Sequence, residues 1–235
     1  MNTEKLSKRL HTVASYIPKG YRLADIGSDH AYLPCHVVKI GSIPYAIAGE
    51  VADGPYESAK RQVVIEGLTE KIDVRKGNGL EVIENGEVDC ITIAGMGGAL
   101  IASILEAGKE KLTETRRLIL QPNISAISIR EWLLENGWAL IAEHILEEDE
   151  KIYEILVAEK GNPNTVYQDL SKELLLGPYL IKEKSSAFNK KWRREWNNWQ
   201  RILVQLENAG QTEENNRKRK ELMEKLRIVE EVLNV

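Results

Sequence analysis

The sequence predicts an α/β fold built on a mostly parallel sheet, and three observations carry that reading. Short apolar runs alternate with amphipathic stretches through the first 160 residues, with short polar turns between them. That order puts crossover helices on both faces of a parallel sheet. The last two apolar runs alternate in hydropathy and are joined only by Glu147-Glu148-Asp149-Glu150, which makes them an antiparallel hairpin.

Taken in order, Leu6, Leu10, Val13 and Ile17 recur at helical spacing and predict a helix that ends near Pro18-Lys19-Gly20. Strands are predicted at residues 21–26, 45–48, 72–75, 90–94 and 117–120, followed by the paired runs 138–146 and 151–158. Amphipathic helices are predicted near 31–40, 55–66, 98–108 and 125–135. Asp53-Gly54-Pro55 places proline at a first helical position, where its missing N–H is harmless. Asn136-Gly137 supplies the left-handed residue that ends a helix. Seven strands, mostly parallel with a terminal antiparallel hairpin, outline the class I (Rossmann-like) methyltransferase fold.

Gly161-Asn162-Pro163-Asn164 breaks the pattern and divides the chain into residues 1–160 and 161–235. Residues 171–181 predict a short linking helix. Beyond it Phe188, Trp192, Trp196, Trp199, Leu203 and Leu206 recur every three or four residues, as do Leu222, Leu226, Val229 and Leu233 after Asn208-Ala209-Gly210-Gln211. Two helices joined by a polar turn form an antiparallel hairpin or short coiled coil. The tryptophan stripe reads as packing before it reads as a ligand box.

Charge is unevenly spread. Residues 161–235 carry 14 Lys/Arg against 11 Asp/Glu, a balance of +3, leaving −7 on residues 1–160 and −4 in all. A basic appendage on an acidic body points to a polyanionic partner, although a solvated helical pair would also carry mixed charge. Cys35 and Cys90 sit in apolar runs and are expected to be packed thiols, with no metal site. No signal-peptide core opens the chain and no apolar run approaches the ~18 residues of a membrane span, so a soluble cytoplasmic monomer is expected.

The chemistry concentrates at strand ends. Leu23-Ala24-Asp25-Ile26-Gly27-Ser28-Asp29-His30 ends the first strand with Asp25-x-Gly27 and turns toward a helix. In doubly wound sheets a nucleotide lies beyond the carboxyl ends of the strands, and glycine lets backbone approach it. A G-x-G-x-x-G turn holds a pyrophosphate at a helix N-terminus; here Asp29 stands where the second glycine would be and repels that anion. S-adenosyl-L-methionine carries an ammonium and a sulfonium instead, and carboxylates suit both. Asp29 is therefore expected to bind this cofactor and to give the reaction electrostatic or positioning help, although a helix cap accounts for an aspartate there too. His30 is assigned to binding or structure, because methylating a ring nitrogen needs no general base.

Glu50 closes the second strand 23 residues after Gly27, where a carboxylate accepts hydrogen bonds from a ribose diol. Asn78-Gly79 follows the third strand and offers an amide to an adenine edge, or simply a turn. Gly95, Met96, Gly97 and Gly98 end the fourth strand; three glycines in four residues admit a planar base, with Met96 as an apolar wall. The prolines and aromatic residue usual in amino-methylating enzymes are absent, so a ring nitrogen that needs chiefly positioning is the expected acceptor. Gln121 and Asn123 put two amides at the same rim, for a flipped base or for capping the next helix. Arg9 on the first helix would reach phosphates near the entrance, unless that face is only solvated. Lys190-Lys191-x-Arg193-Arg194 and Arg217-Lys218-Arg219-Lys220 lie on opposite arms of the hairpin and would follow an RNA backbone by phosphate contact and shape. No DNA partner is expected. A small-molecule or other RNA-base methyltransferase, or a non-catalytic RNA-binding protein of the same fold, stays open on these residues.

Four motifs in order, L-A-D-I-G-S-D-H-A-Y-L-P, G-E-V-A-D-G-P, I-A-G-M-G-G and L-Q-P-N, resemble the bacterial tRNA (adenine-22-N1)-methyltransferase family. The resemblance spans the whole chain, helical hairpin included. It implies methyl transfer from S-adenosyl-L-methionine to N1 of an adenine in the D-arm region of tRNA. It further implies that Asp25, Gly27, Asp29 and Glu50 bind the cofactor and that the appended helices help hold the tRNA. Asn78 stands where related sequences often have aspartate, and the family offers no general base to carry over.

Overall fold

The structure is a computed structural model and describes residues 2–208 and 212–234. Its sheet comprises β1 (Leu23–Ile26), β2 (Ala46–Glu50), β3 (Ile72–Lys76), β4 (Cys90–Gly97), β5 (Arg117–Ile124), β6 (Trp138–Glu148) and β7 (Lys151–Lys160), in the spatial order β3-β2-β1-β4-β5-β7-β6. The first five strands are parallel, and β7 runs antiparallel to both β5 and β6. The chain begins in the middle of the sheet and works outward in both directions, so β1 and β4 flank a switch point where a crevice opens at their carboxyl ends. Burial on both faces explains why β1 and β2 are apolar apart from Asp25 and Glu50 near their carboxyl ends.

One face of the sheet carries α1 (Lys8–Ser15), α2 (Tyr32–Lys39) and α3 (Asp53–Ile65); the other carries α4 (Gly98–Ala107) and α5 (Ala126–Glu135). Val13, Leu33, Val37 and Val63 fill the first layer, and Ile101, Leu105, Ile129 and Leu133 the second. Cys35 and Cys90 are buried and free, and burial pushes both thiols well above their ordinary range, up to about 12 for Cys35, as the packed reading requires.

Several boundaries differ from the sequence expectation. β4 and β5 continue three and four residues further, to Gly97 and Ile124, because Gln121 and Asn123 bond the tail of β4. The expected Gly95–Gly98 loop is thus a strand end running directly into α4. α3 starts at Asp53, so Pro55 is its third residue, still inside the turn whose N–H groups need no carbonyl. The β6–β7 turn is Asp149-Glu150, both at positive φ (48° and 62°), the left-handed pair that matches strand twist in a two-residue hairpin.

After β7 come α6 (Leu170–Leu176), α7 (Leu180–Glu183), α8 (Ser186–Asn208) and α9 (Glu213–Leu233). The predicted turn falls on residues 209–211, outside the described residues. Glu207 with Arg219, Trp199 with Lys225 and Trp196 with Glu230 pair in opposite directions, so α8 and α9 are antiparallel. Their base packs on the sheet: Phe188, Trp192 and Val229 join Ile145 of β6 in a third buried cluster. Beneath it, Arg130 of α5 is fully buried between Glu143 of β6 (2.6 Å) and Glu154 of β7 (2.8 Å). Arg130 also donates to the Leu174 and Leu175 carbonyls, and Glu143 accepts from the Tyr179 N–H. Residues 170–179 are therefore tied to the sheet by buried charge. Among the described residues no helix is long and apolar enough to cross a membrane.

Candidate active site

At the switch point a cavity of about 260 Å³ brings together Arg9, Asp25, Gly27, Asp29, Gly95 and Met96 from distant parts of the chain. Asp25 ends β1 almost fully buried; its two carboxylate oxygens accept from Ser28 Oγ (2.6 Å) and Thr92 Oγ1 (2.6 Å). Burial pushes its carboxyl above the usual range, and those two hydroxyls and the Arg9 charge oppose the rise. Gly27 adopts φ +70°, and a Cβ there would lie 2.1 Å from Met96 Cε. Only glycine meets both the positive φ and that close approach.

Asp29 also sits at positive φ (59°). Its backbone N–H donates to the Glu50 carboxylate, while its own side chain is 69% exposed, 3.8 Å from His30 Nε2. The residue preceding α2 is Ala31, with no side-chain cap, so Asp29 does not cap that helix. Glu50 is buried at the end of β2; burial pushes it up to about 7, Asp25 and Asp29 add to the rise, and the Asp29 N–H opposes it. His30 is fixed by Ser58 Oγ (2.6 Å) and by stacking on Tyr32. Both His30 and Glu50 stand just behind the cavity wall rather than in it.

The opposite wall is the tail of β4 and β5. The Gly95 N–H donates to Gln121 Oε1 (3.0 Å) and its carbonyl accepts from Asn123 Nδ2 (2.7 Å). Gln121 is fully buried, with Arg9 Nη1 on the same oxygen and its Nε2 donating to the Pro122 carbonyl (2.8 Å). Its amide is thus committed to the wall and is not free for a flipped base; that expectation is corrected. Arg9 points into the cavity, its guanidinium 5.3 Å from the Tyr153 ring centroid, because Glu148 at the hairpin tip accepts from its backbone N–H (3.1 Å). Gly98 opens α4 where a Cβ would meet the Ser125 carbonyl at 2.0 Å, a packing demand of the β4–α4 corner. Asn78 donates its N–H to Glu81 (2.9 Å) in a capping box at the start of a one-turn helix, its side chain exposed, and Gly79 there would collide with Ile104 at 2.8 Å if it carried a Cβ.

The basic runs do not form one patch. Lys190 and Lys191 pair with Glu147 and Glu154 of the sheet, and Arg194 donates to the Glu150 carbonyl (3.1 Å). Lys218 and Arg219 pair with Glu214 and Glu207 near the far end of the hairpin, and Arg193, Arg217 and Lys220 are exposed. The antiparallel pairing separates the two runs by roughly 20 Å at 1.5 Å per residue. Sequence reasoning missed Ser28, Tyr32, Thr92 and Glu148; only Ser28, three residues after Asp25, left a local signal. Among the described residues no group of three His, Cys, Asp or Glu side chains is placed to hold a metal ion.

Asp25 and Asp29 in a glycine-walled cavity, with Glu50 behind them and Arg9 beside them, disfavour a pyrophosphate and suit a cationic nucleoside. With the parallel sheet and terminal hairpin, this defines a class I methyltransferase. A family model described as tRNA (adenine(22)-N(1))-methyltransferase matches residues 23–231. The tRNA (adenine(22)-N(1))-methyltransferase of Bacillus subtilis is 58% identical over 236 residues, covering 100% of this chain and 99% of that protein. Its crystal structure superposes with a TM-score of 0.94 over 98% of this chain and 99% of that one, at 57% identity. A Streptococcus pneumoniae protein solved in complex with S-adenosyl-L-methionine is 46% identical, with a TM-score of 0.84 over 97% of this chain and 100% of that one. M. capricolum TrmK in complex with S-adenosyl-homocysteine is 28% identical, with a TM-score of 0.83 over 97% and 98%. The chain belongs to the tRNA (adenine(22)-N(1))-methyltransferase family.

Proposed function

We propose that this protein transfers a methyl group from S-adenosyl-L-methionine to N1 of adenine 22 in tRNA. The observation that carries the reading is the acidic switch-point cavity, on a chain alike from end to end to an enzyme named for that reaction. The cofactor supplies an electrophilic methyl on a sulfonium. Asp25 and Asp29 set the negative field that favours a cationic nucleoside, Glu50 accepts from its ribose, and Gly27 and Gly95 bring backbone close to it. Asn78 and Gly79 stand at the adenine end, and His30 braces the Asp29 turn.

Met96, Gly97 and Asn123 form the rim where the target base is received. N1 of adenine has a free lone pair, so the chain's task is positioning and exclusion of water, and no general base is required. Residues 161–235 act as the tRNA-holding part of a cytoplasmic monomer, α6 and α7 anchoring α8 and α9 to the catalytic body. Incubation with labelled methyl donor and an unmodified tRNA transcript, then nucleoside analysis, tests the reading: 1-methyladenosine is expected, lost when adenine 22 is changed to guanine. Label in another nucleoside, or transfer only to small molecules, refutes it.

A further inference from the structure

A second cavity, of about 410 Å³, lies where the helical hairpin meets the sheet. Its near edge is the tail of β5, where Asn123 is hydrogen-bonded to Gly95 in the wall of the first site. Ile124 lines this cavity and pairs with Gly97 in the β4–β5 ladder, so it stands on the ridge between the two sites. Ile124 is 72% exposed there, an apolar side chain at the edge of the cavity.

The far wall comes from the hairpin. Trp192 is buried and forms the floor, with Lys191 Nζ 4.8 Å from its ring centroid. Trp199, one helical stretch further out, is only half-buried, and Lys225 Nζ of α9 lies 6.0 Å from its ring centroid. The structure thus splits the tryptophan stripe: the inner indole packs, and an outer one is left with a reachable face. The charge balance favours an anion. Glu154 is committed to Arg130 and Lys191, whereas Arg194 and Lys225 carry no ion pair among the described residues and oppose the single acid Glu195.

An aromatic face flanked by unpaired cations receives a base and its phosphate, with stacking that tolerates any base. An apolar wedge that keeps an extruded base from restacking is the complementary device. We propose that this cavity receives the nucleotide adjacent to the target adenine in the same tRNA strand, Trp199 stacking on its base, Arg194 and Lys225 holding its phosphate, and Ile124 separating the two nucleotides. The proposal rests on the tRNA-methylating reading above and adds a second nucleotide subsite to it.

The test is a cycle of enzyme and substrate changes. tRNA transcripts carrying an abasic nucleotide immediately 5′ or 3′ of the target are methylated by wild-type protein, Trp199→Ala and Lys225→Ala, with S-adenosyl-homocysteine affinity measured alongside. Wild type is expected to lose about 5- to 100-fold in kcat/KM on one of the two abasic transcripts, the size of one lost stack. Trp199→Ala is expected to lose a similar factor on intact tRNA and to be nearly blind to the abasic change, and Trp199→Phe to restore most of both. Lys225→Ala, which removes no buried contact, should raise the tRNA KM with S-adenosyl-homocysteine affinity unchanged. It covers the case of a Trp199 variant that does not fold. Equal abasic losses in wild type and Trp199→Ala, or full activity of both variants on intact tRNA, overturn the subsite. Failure of wild type to methylate intact tRNA overturns the functional reading itself, and the subsite with it.

Discussion

Gly27→Ala adds one methyl group to the wall of the switch-point cavity, against Met96. Two effects follow from the structure. The residue is held at φ +70°, where an L-side chain costs roughly 1–2 kcal/mol. The new Cβ also falls 2.1 Å from Met96 Cε, far inside contact distance. Met96 is unbranched and only partly buried, so its tip gives way rather than the backbone. The tip lines the cavity, so some of its alternative rotamers point inward. Stability should therefore fall only by the backbone share, about 2–4 °C in Tm per kcal/mol for a chain of this size. Cofactor affinity should fall by at least tenfold, which calorimetric titration with S-adenosyl-homocysteine measures directly. Gly27→Ala with Met96→Ala separates the effects: the melting temperature stays low because φ is unchanged, while affinity recovers. An unchanged affinity in the single variant, or no recovery in the double, refutes the assignment of Gly27 to the cofactor wall.

Asp29→Asn keeps a residue that tolerates positive φ and removes a charge that is largely exposed; cofactor affinity should drop about threefold to tenfold, as expected of one exposed charge pair, with Tm unmoved, and an unchanged affinity removes Asp29 from the site. Glu50 supplies a pH test. Its folded value, about 7, lies above the ordinary carboxylate value, so the folded state binds the extra proton and Glu50 costs stability as pH rises from about 4.5 to about 7. Glu50→Gln should therefore gain stability relative to wild type across that window and not below it. A cationic cofactor favours ionised Glu50, so binding at pH 6.5 should release a proton that the variant does not; a binding enthalpy that varies equally with buffer ionisation enthalpy in wild type and Glu50→Gln denies Glu50 that role. Arg130→Met leaves buried Glu143 without a charged partner and Glu154 with Lys191 alone, and should cost about 3–5 kcal/mol, more at pH 8 than at pH 5 because protonation relieves Glu143; a loss independent of pH would show that the cost is packing alone.

The strands along the chain, the terminal hairpin and the helical arm were legible because hydropathy period and turn chemistry are local signals. So was the ring of strand ends, since a doubly wound sheet gathers them at one edge. What was not legible depends on partners far apart in the chain. Gln121 reads as a free amide until Gly95 and Arg9 are placed against it, 26 and 112 residues away. Lys190 and Lys191 read as an RNA-binding run until the sheet presents Glu147 and Glu154 to them, and then they become the clamps that seat α8. The Arg130 network had no sequence signature at all, because an arginine in an amphipathic helix reads as its polar face. Asp29 erred in the other direction: the local pattern allowed a helix cap, and a left-handed turn carried through Ala31 removed that role.

Asp25, Asp29 and the Glu50 behind them look alike in sequence, yet they differ in how much of their charge is already committed. Asp25 has both oxygens bonded, to Ser28 and Thr92, and Glu50 holds the Asp29 N–H. Removing either therefore disturbs the turn and the cofactor field together. Asp29 hydrogen-bonds to Glu50 through its backbone N–H, and among the described residues His30 is the one basic side chain within 4 Å of its carboxylate. Its charge is the part of the site that folding does not use. A protein gains nothing in stability from an exposed carboxylate near two buried ones, since like charges repel. The residue that made the sequence argument against a pyrophosphate is thus held in place by its left-handed turn, with its carboxylate charge left over for the cavity.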